Sequence, residues 1–188
     1  VSSSTVSLVL SSNRKIKHRY RISEDTIKNV RRVAEEMDYR PNAIAQGLAS
    51  GRTNSIGVLV NTVQGGYYER ILAGIKSQVY PHYVPILAVH NCDKTFERVE
   101  LEVFASRQLD GVIAAFSGNR ANIECYRNLS ERVKIPIVLV NRAIPGLNLP
   151  VVRIDYEGMS YSATRSLQEL GHRRIMYVYA FATKSMED

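Results

Sequence analysis

Apolar residues recur at helical spacing through the first fifty positions and in strand-sized runs from residue 55 onward. Val6, Val9 and Leu10 fall at i, i+3 and i+4, one apolar stripe of a short helix. Ser2, Ser3, Ser4, Ser7 and Leu8 cover the rest of that helix. Ile27, Val30, Val33, Ala34 and Met37 repeat the spacing in a second helix. Ser23 is its expected N-cap, with Glu24 and Asp25 in the first turn, where the helix dipole favours carboxylates. Tyr39-Arg40-Pro41 stops it, and residues 42–49 read as a short helix of small residues ending near Gly51. Hydroxyls on the first turn of the first helix suit contact with phosphate oxygens and base edges, although a serine-rich first turn is ordinary by itself.

After residue 55 the rhythm becomes strand, helix, strand. Residues 55–60, 84–89, 111–115 and 136–140 are near-continuous apolar runs, as expected of parallel strands covered on both faces. They begin 29, 27 and 25 residues apart, the length of a βαβ unit. Between them lie three amphipathic helices, marked by Tyr68, Ile71, Leu72, Ile75 and Val79, by Val99, Val103 and Phe104, and by Ile123, Tyr126 and Leu129. Residues 151–154 add a fifth strand. Residues 156–170 form a further helix, with Met159, Ala163, Leu167 and Leu170 inward and Gly171 as its C-cap. Residues 174–179 read as another strand. The pattern predicts a doubly wound α/β sheet.

Charge sharpens the division. The chain carries +7 overall, with pI about 9.5. Residues 1–54 hold ten Lys and Arg against five Asp and Glu, and the other 134 hold fifteen against thirteen. Basicity therefore sits at the N-terminal end, where a nucleic-acid-binding unit would need it. Five of the eight residues from Arg14 to Arg21 are basic, a solvated loop that would add phosphate contacts beside a DNA-reading helix. The two cysteines, Cys92 and Cys125, lack metal-ligand spacing, and no apolar run is long enough to span a bilayer. The expected setting is a reduced cytoplasm, with no membrane partner.

Catalytic signatures are lacking. The four histidines are scattered, no serine sits in a nucleophile elbow, and there is neither G-x-G-x-x-G nor a phosphate-binding loop. No enzyme activity, cofactor or metal is expected. Ligands of open α/β sheets bind at the carboxyl ends of strands. That rule nominates Asn61, Gln64, Tyr67 and Tyr68, then Phe116 and Ser117, then Asn141 and Arg142, and finally Arg153 and Asp155. Such a set of aromatics, amides and charges suits a sugar or a nucleobase. Tyr68 is equally well explained by helix packing.

The ordered motifs V-S-x-x-T-V-S-x-V-L, R-I-S-E-D-T, Y-R-P-N-A-I-A-x-x-L and S-I-G-V-L-V resemble the lactose-repressor (LacI/GalR) family of bacterial transcription regulators. The resemblance covers essentially the whole chain. It implies an α/β, periplasmic-binding-protein-like effector subdomain preceded by a small all-α helix-turn-helix headpiece. On that basis residues 1–41 would be a partial headpiece and 42–54 the hinge helix and linker. Residues 55–155 would form the N-terminal effector subdomain, and 156–188 the start of a second. A chain entering inside the first motif and ending at Asp188 would be cut at both ends. Residues 1–40 would then pack poorly, and apolar surface on 156–179 would be exposed.

Carried over residue by residue, Ser3, Ser4 and Leu8 match base-reading positions in the major groove. Ser2, Thr5 and Ser7 match backbone-positioning sites. Asn42 matches a backbone or groove contact, Leu48 the apolar wedge that kinks the duplex, and Ala45 and Ala49 the small residues beside it. Asn61, Tyr67, Tyr68, Asn141 and Arg153 match cleft-lining positions. Members commonly have Asp-Arg where Asn141-Arg142 stands, so the usual hydroxyl-accepting carboxylate is missing. The function implied is a sequence-specific transcription regulator, a repressor, acting as a homodimer on double-stranded operator DNA and controlled by a small-molecule effector, a sugar first. The alternatives are a regulator answering to a purine or a phosphoprotein partner, and a transport-type solute-binding protein with a vestigial headpiece.

Overall fold

A computed structural model describes residues 1–10, 22–39, 42, 45, 47 and 50–178, and its contacts separate two units, Val1–Thr53 and Asn54–Asp188. In the first unit, helix α1 spans Ser3–Leu10 and helix α2 spans Glu24–Glu36. Ser2 Oγ accepts the Thr5 amide at 3.2 Å, and Ser23 Oγ caps α2 by accepting the Thr26 amide at 3.3 Å. Helix α2 ends at Met37, ahead of Tyr39-Arg40-Pro41. Asp38 turns left-handed at φ 46°, and the Tyr39 amide closes back on the Ala34 carbonyl at 2.8 Å. Val9 and Val30 are the buried apolar side chains of this unit among the described residues. The basic loop 11–21, Leu48 and Ala49 lie outside the described residues.

The second unit is built on a five-stranded, all-parallel sheet in the order β2-β1-β3-β4-β5, with β1 Ser55–Val60, β2 Val84–Val89, β3 Gly111–Ala114, β4 Ile137–Val140 and β5 Val151–Val152. This is the doubly wound α/β class that the apolar runs predict. Helices α3 Tyr67–Val79, α4 Lys94–Ser106, α5 Ile123–Arg127 and α6 Tyr156–Glu169 connect or follow the strands. A 3-10 turn, Arg120–Asn122, leads into α5, and one wide π-type turn, Asn128–Arg132, leads out of it.

Strand β1, next to the β2 edge, is covered on both faces. Val58 and Val60 pack with Tyr68 and Ala115 beneath α3, while Leu59 joins Leu101, Phe104, Tyr126 and Leu129 beneath α4 and α5. Gly57 is required there: a Cβ would stand 2.6 Å from Phe104 Cε2. Strand β2 departs from the expected two-sided burial. It lies at the sheet edge, and Val84 and Leu87 remain 63% and 48% exposed.

In the C-terminal stretch the expected helix and the expected apolar exposure are found, and the expected strand is not. Helix α6 forms and ends in the predicted way: Gly171 is left-handed at φ 88°, and the His172 amide returns to the Leu167 carbonyl at 3.1 Å. Its apolar face is uncovered, the exposure expected over residues 156–179. Met159 and Leu170 are 60% and 76% exposed, Ala163 and Leu167 are exposed as well, and the helix buries no residue. The strand expected over 174–179 is not formed over its described part, where residues 174–178 run without regular structure. Periodicity makes a segment apolar enough for a strand, but only a neighbouring strand supplies its ladder of hydrogen bonds. Among the described residues, no helix is long and apolar enough to cross a membrane.

Candidate functional site

The strand order fixes where a ligand can enter. From β1 the chain runs to β2 on one side, then crosses to β3 on the other, so the connections diverge between β1 and β3. At such a switch point the loops beyond the carboxyl ends of the strands leave a crevice. Asn61 follows β1 there. Its Oδ1 is buried and has no hydrogen-bond partner, a costly state for an amide oxygen unless a ligand group supplies the donor.

Helix α3 begins beside this crevice and presents two tyrosines. Tyr68 packs its ring into the core at 8% exposure, while Tyr67 is 37% exposed and meets it edge-on with centroids 5.1 Å apart. Thus the packing explanation holds for the Tyr68 ring, but its hydroxyl still reaches the site. Asn141, directly after β4, bridges the pair. The Tyr67 hydroxyl donates to Asn141 Oδ1, and Asn141 Nδ2 donates to the Tyr68 hydroxyl at 3.3 Å. Asn141 achieves this from a left-handed backbone at φ 73°, a conformation that asparagine tolerates better than most residues. Where the sequence comparison noted a missing carboxylate, the amide therefore both accepts and donates.

Burial raises the pKa of both tyrosines. Tyr156, at the start of α6, raises Tyr67 further, while the bond to Asn141 works against the rise. Both hydroxyls stay neutral at physiological pH and can donate or accept. The nominated charges are differently placed. Asp155 caps α6, its Oδ1 accepting the Gly158 amide at 2.9 Å, which is a structural task. Arg142 and Arg153 are exposed. Gln64 is exposed on the β1–α3 loop. Phe116 does not offer a stacking face: it is buried at 5% exposure, edge-on to Tyr126 with centroids 5.6 Å apart.

Sequence reading overlooked a buried polar network beneath the β3 loop. Glu97 of α4 is fully buried. Its Oε1 accepts the Ser117 amide at 2.9 Å and the Tyr126 hydroxyl at 2.9 Å. Its Oε2 accepts the Ser117 hydroxyl and the Asn122 amide group, both at 2.6 Å. His90, also fully buried, accepts the Cys92 amide at Nδ1 (3.1 Å), so its proton sits on Nε2, 2.9 Å from the Ala115 carbonyl. A charged residue on the apolar stripe of α4 was the available signal. Among the described residues, no group of three or more His, Cys, Asp or Glu could hold a metal ion.

In the first unit, Ser3, Ser4 and Ser7 are exposed on α1, with Leu8 half-buried. Ser2 and Thr5 bond to each other through their side chains at 2.9 Å, and so spend part of their polarity on the cap. Asn42 Oδ1 accepts the Ala45 amide at 3.3 Å, and Ala45, Gly47 and Ser50 are helical.

A family model described as periplasmic binding proteins and sugar binding domain of LacI family matches residues 53–187. Catabolite control protein A of Priestia megaterium is 31% identical over 180 residues, which are 95% of this chain and 51% of that protein. The HTH-type transcriptional regulator PtxS of Pseudomonas putida is 31% identical over 179 residues, 95% of this chain and 50% of that one. Among solved structures, a LacI-family transcriptional regulator from Silicibacter pomeroyi superposes with TM-score 0.69 at 26% identity, covering 93% of this chain and 50% of that one. The chain spans about half the length of the relatives it matches.

Proposed function

The chain belongs to the LacI family, and from that premise we propose that it is part of a ligand-responsive transcription regulator, a repressor whose operator affinity is set by a small neutral effector, a sugar first. The observation that carries the effector reading is the unpaired, buried Asn61 carbonyl after β1 at the sheet's switch point, with the Tyr67–Asn141–Tyr68 hydroxyl and amide group also following the carboxyl ends of β1 and β4. A ring with several hydroxyls would give Asn61 its missing donor and exchange bonds with the tyrosines. Arg142 and Arg153 belong to the proposed site as exposed donors at its rim. Asp155 belongs to it through the α6 cap that holds Tyr156 near Tyr67.

The DNA-binding reading draws on α1, whose exposed Ser3, Ser4 and Ser7 and half-buried Leu8 face solvent. It draws also on the concentration of positive charge in residues 1–54. Ser2 and Thr5 position α1 against the phosphate backbone. Asn42, Ala45, Leu48 and Ala49 serve the hinge, with Leu48 as wedge. A homodimer is the proposed assembly, and the open β2 edge, with Val84 and Leu87 exposed, is a surface for a second copy to cover.

Selection from a randomised duplex library, with and without monosaccharides and purine bases, tests the proposal. A pseudopalindrome whose affinity changes with one of these ligands supports it, and Leu48→Ala is then expected to abolish specific affinity. The family description also takes in periplasmic binding proteins, so a solute-binding protein is the second reading. Ligand binding with no DNA selection would favour that one.

A further inference from the structure

The β3 loop is one lip of the switch-point crevice. Ala115 continues the β1–β3 ladder, its amide donating to the Leu59 carbonyl at 2.8 Å. The register Leu59 with Ala114, carried two residues forward, brings Asn61 level with Phe116. Ala115–Ser117 are therefore the segment level with Asn61 across the switch point. Two fully buried side chains from the β2–α4 stretch hold that segment: His90 through the Ala115 carbonyl, and Glu97 through both the amide and the hydroxyl of Ser117.

We propose that Glu97 is a positioning residue for the effector, fixing Ala115–Ser117 at the crevice through its buried carboxylate. Its role rests on the effector reading above. A buried carboxylate is expensive unless every lone pair is used, and here neutral donors fill both oxygens. Apolar side chains of similar size would fill the volume under α4 without that desolvation cost. What they could not supply is a double anchor on Ser117, through its backbone amide and its hydroxyl. Ser117 Oγ also accepts the Asn119 amide at 3.1 Å, so the anchor extends along the turn into α5.

Glu97→Gln is a demanding probe because it preserves shape. Whichever oxygen becomes an NH2 meets a donor that cannot reverse. On the Oε1 side this is the Ser117 backbone amide. On the Oε2 side it is the Asn122 amide group, already bound to the Lys94 carbonyl at 2.9 Å. Either the Ser117 amide or the Asn122 amide group loses its acceptor, and without the carboxylate charge the remaining bonds to Ser117 weaken.

The experiment titrates the chain and its variants by calorimetry with D-glucose, D-fructose, D-ribose, D-xylose, hypoxanthine and guanine, and follows amide hydrogen exchange at Ser117. For whichever probe binds the parent, Glu97→Gln is expected to weaken affinity by about tenfold or more and to speed exchange at Ser117. Leu129→Ala, which opens the core beside α5 but takes no part in the network, is expected to lower the melting temperature and leave affinity unchanged. A folded Glu97→Gln protein with parental affinity overturns the proposal and leaves the effector reading standing. If no probe binds the parent, the effector reading fails, and Glu97's role with it. Should Glu97→Gln not fold, Glu97→Asp carries the test by retracting the carboxylate one methylene: weaker binding supports the role, and unchanged binding overturns it.

Discussion

Tyr126 shows how much one hydroxyl can hold. Fully buried, it donates to Glu97 Oε1, and its ring meets Phe116 edge-on. Tyr126→Phe would leave one carboxylate lone pair unsatisfied in the core, and urea unfolding should register a loss of about 1–3 kcal/mol. The same residue shapes the alkaline limb of stability. Burial first, and the Glu97 charge second, raise its pKa well above the ordinary 10.0. A group whose folded pKa exceeds its unfolded one contributes stability below the unfolded value and loses it as pH rises toward the folded value. The parent should therefore weaken as pH climbs past 10.0, and Tyr126→Phe should weaken less steeply in urea melts across that range.

At the scale of elements, α4 is fixed at its start by a cap and along its length by a ring seated on β1. Asp93 Oδ1 accepts the Phe96 and Thr95 amides at 3.0 and 2.7 Å, and these bonds, Phe96 foremost, hold its carboxyl below the ordinary 3.8. A depressed folded pKa gives stability that is present above the unfolded value and lost as pH falls through the folded one. Asp93→Asn keeps a capping oxygen without the charge. The parent's higher melting temperature at about pH 7 should shrink toward the variant's as pH drops below 3.8. Further along, Phe104 lies over Gly57, and the 2.6 Å approach leaves no room for a methyl. Gly57→Ala should cost about 1–3 kcal/mol by overpacking, read as a lower urea midpoint with an unchanged slope. A glycine inside a strand and an aromatic on a helix stripe were both visible in the chain, but nothing in their spacing of 47 residues pairs them.

For the molecule as a whole, the exposed apolar side chains of α6 and residues 170–178 are the main liability: Met159, Leu170 and Met176 are 60%, 76% and 86% exposed. Met159→Gln with Leu170→Gln should reduce concentration-dependent light scattering without lowering the melting temperature, since neither side chain is buried. Apolar rhythm, caps and charge placement are local properties, so the sequence alone determined the order of strands and helices from residue 55 to 170, the doubly wound class, the Ser23 and Gly171 caps and the basic N-terminal third. Its motifs also carried the family. Which strand lies at the edge, whether a helix face is covered, and which polar groups meet depend on contacts between residues distant in the chain. Tyr67 and Asn141 are 74 residues apart, and Glu97 and Tyr126 are 29 apart. Only the tertiary structure decided that Phe116 would be core and not ligand face, and that a carboxylate on an apolar stripe would anchor a loop. These outcomes follow from which side chains the fold buries and which buried polar groups it pairs in three dimensions, a condition that no one-dimensional periodicity encodes.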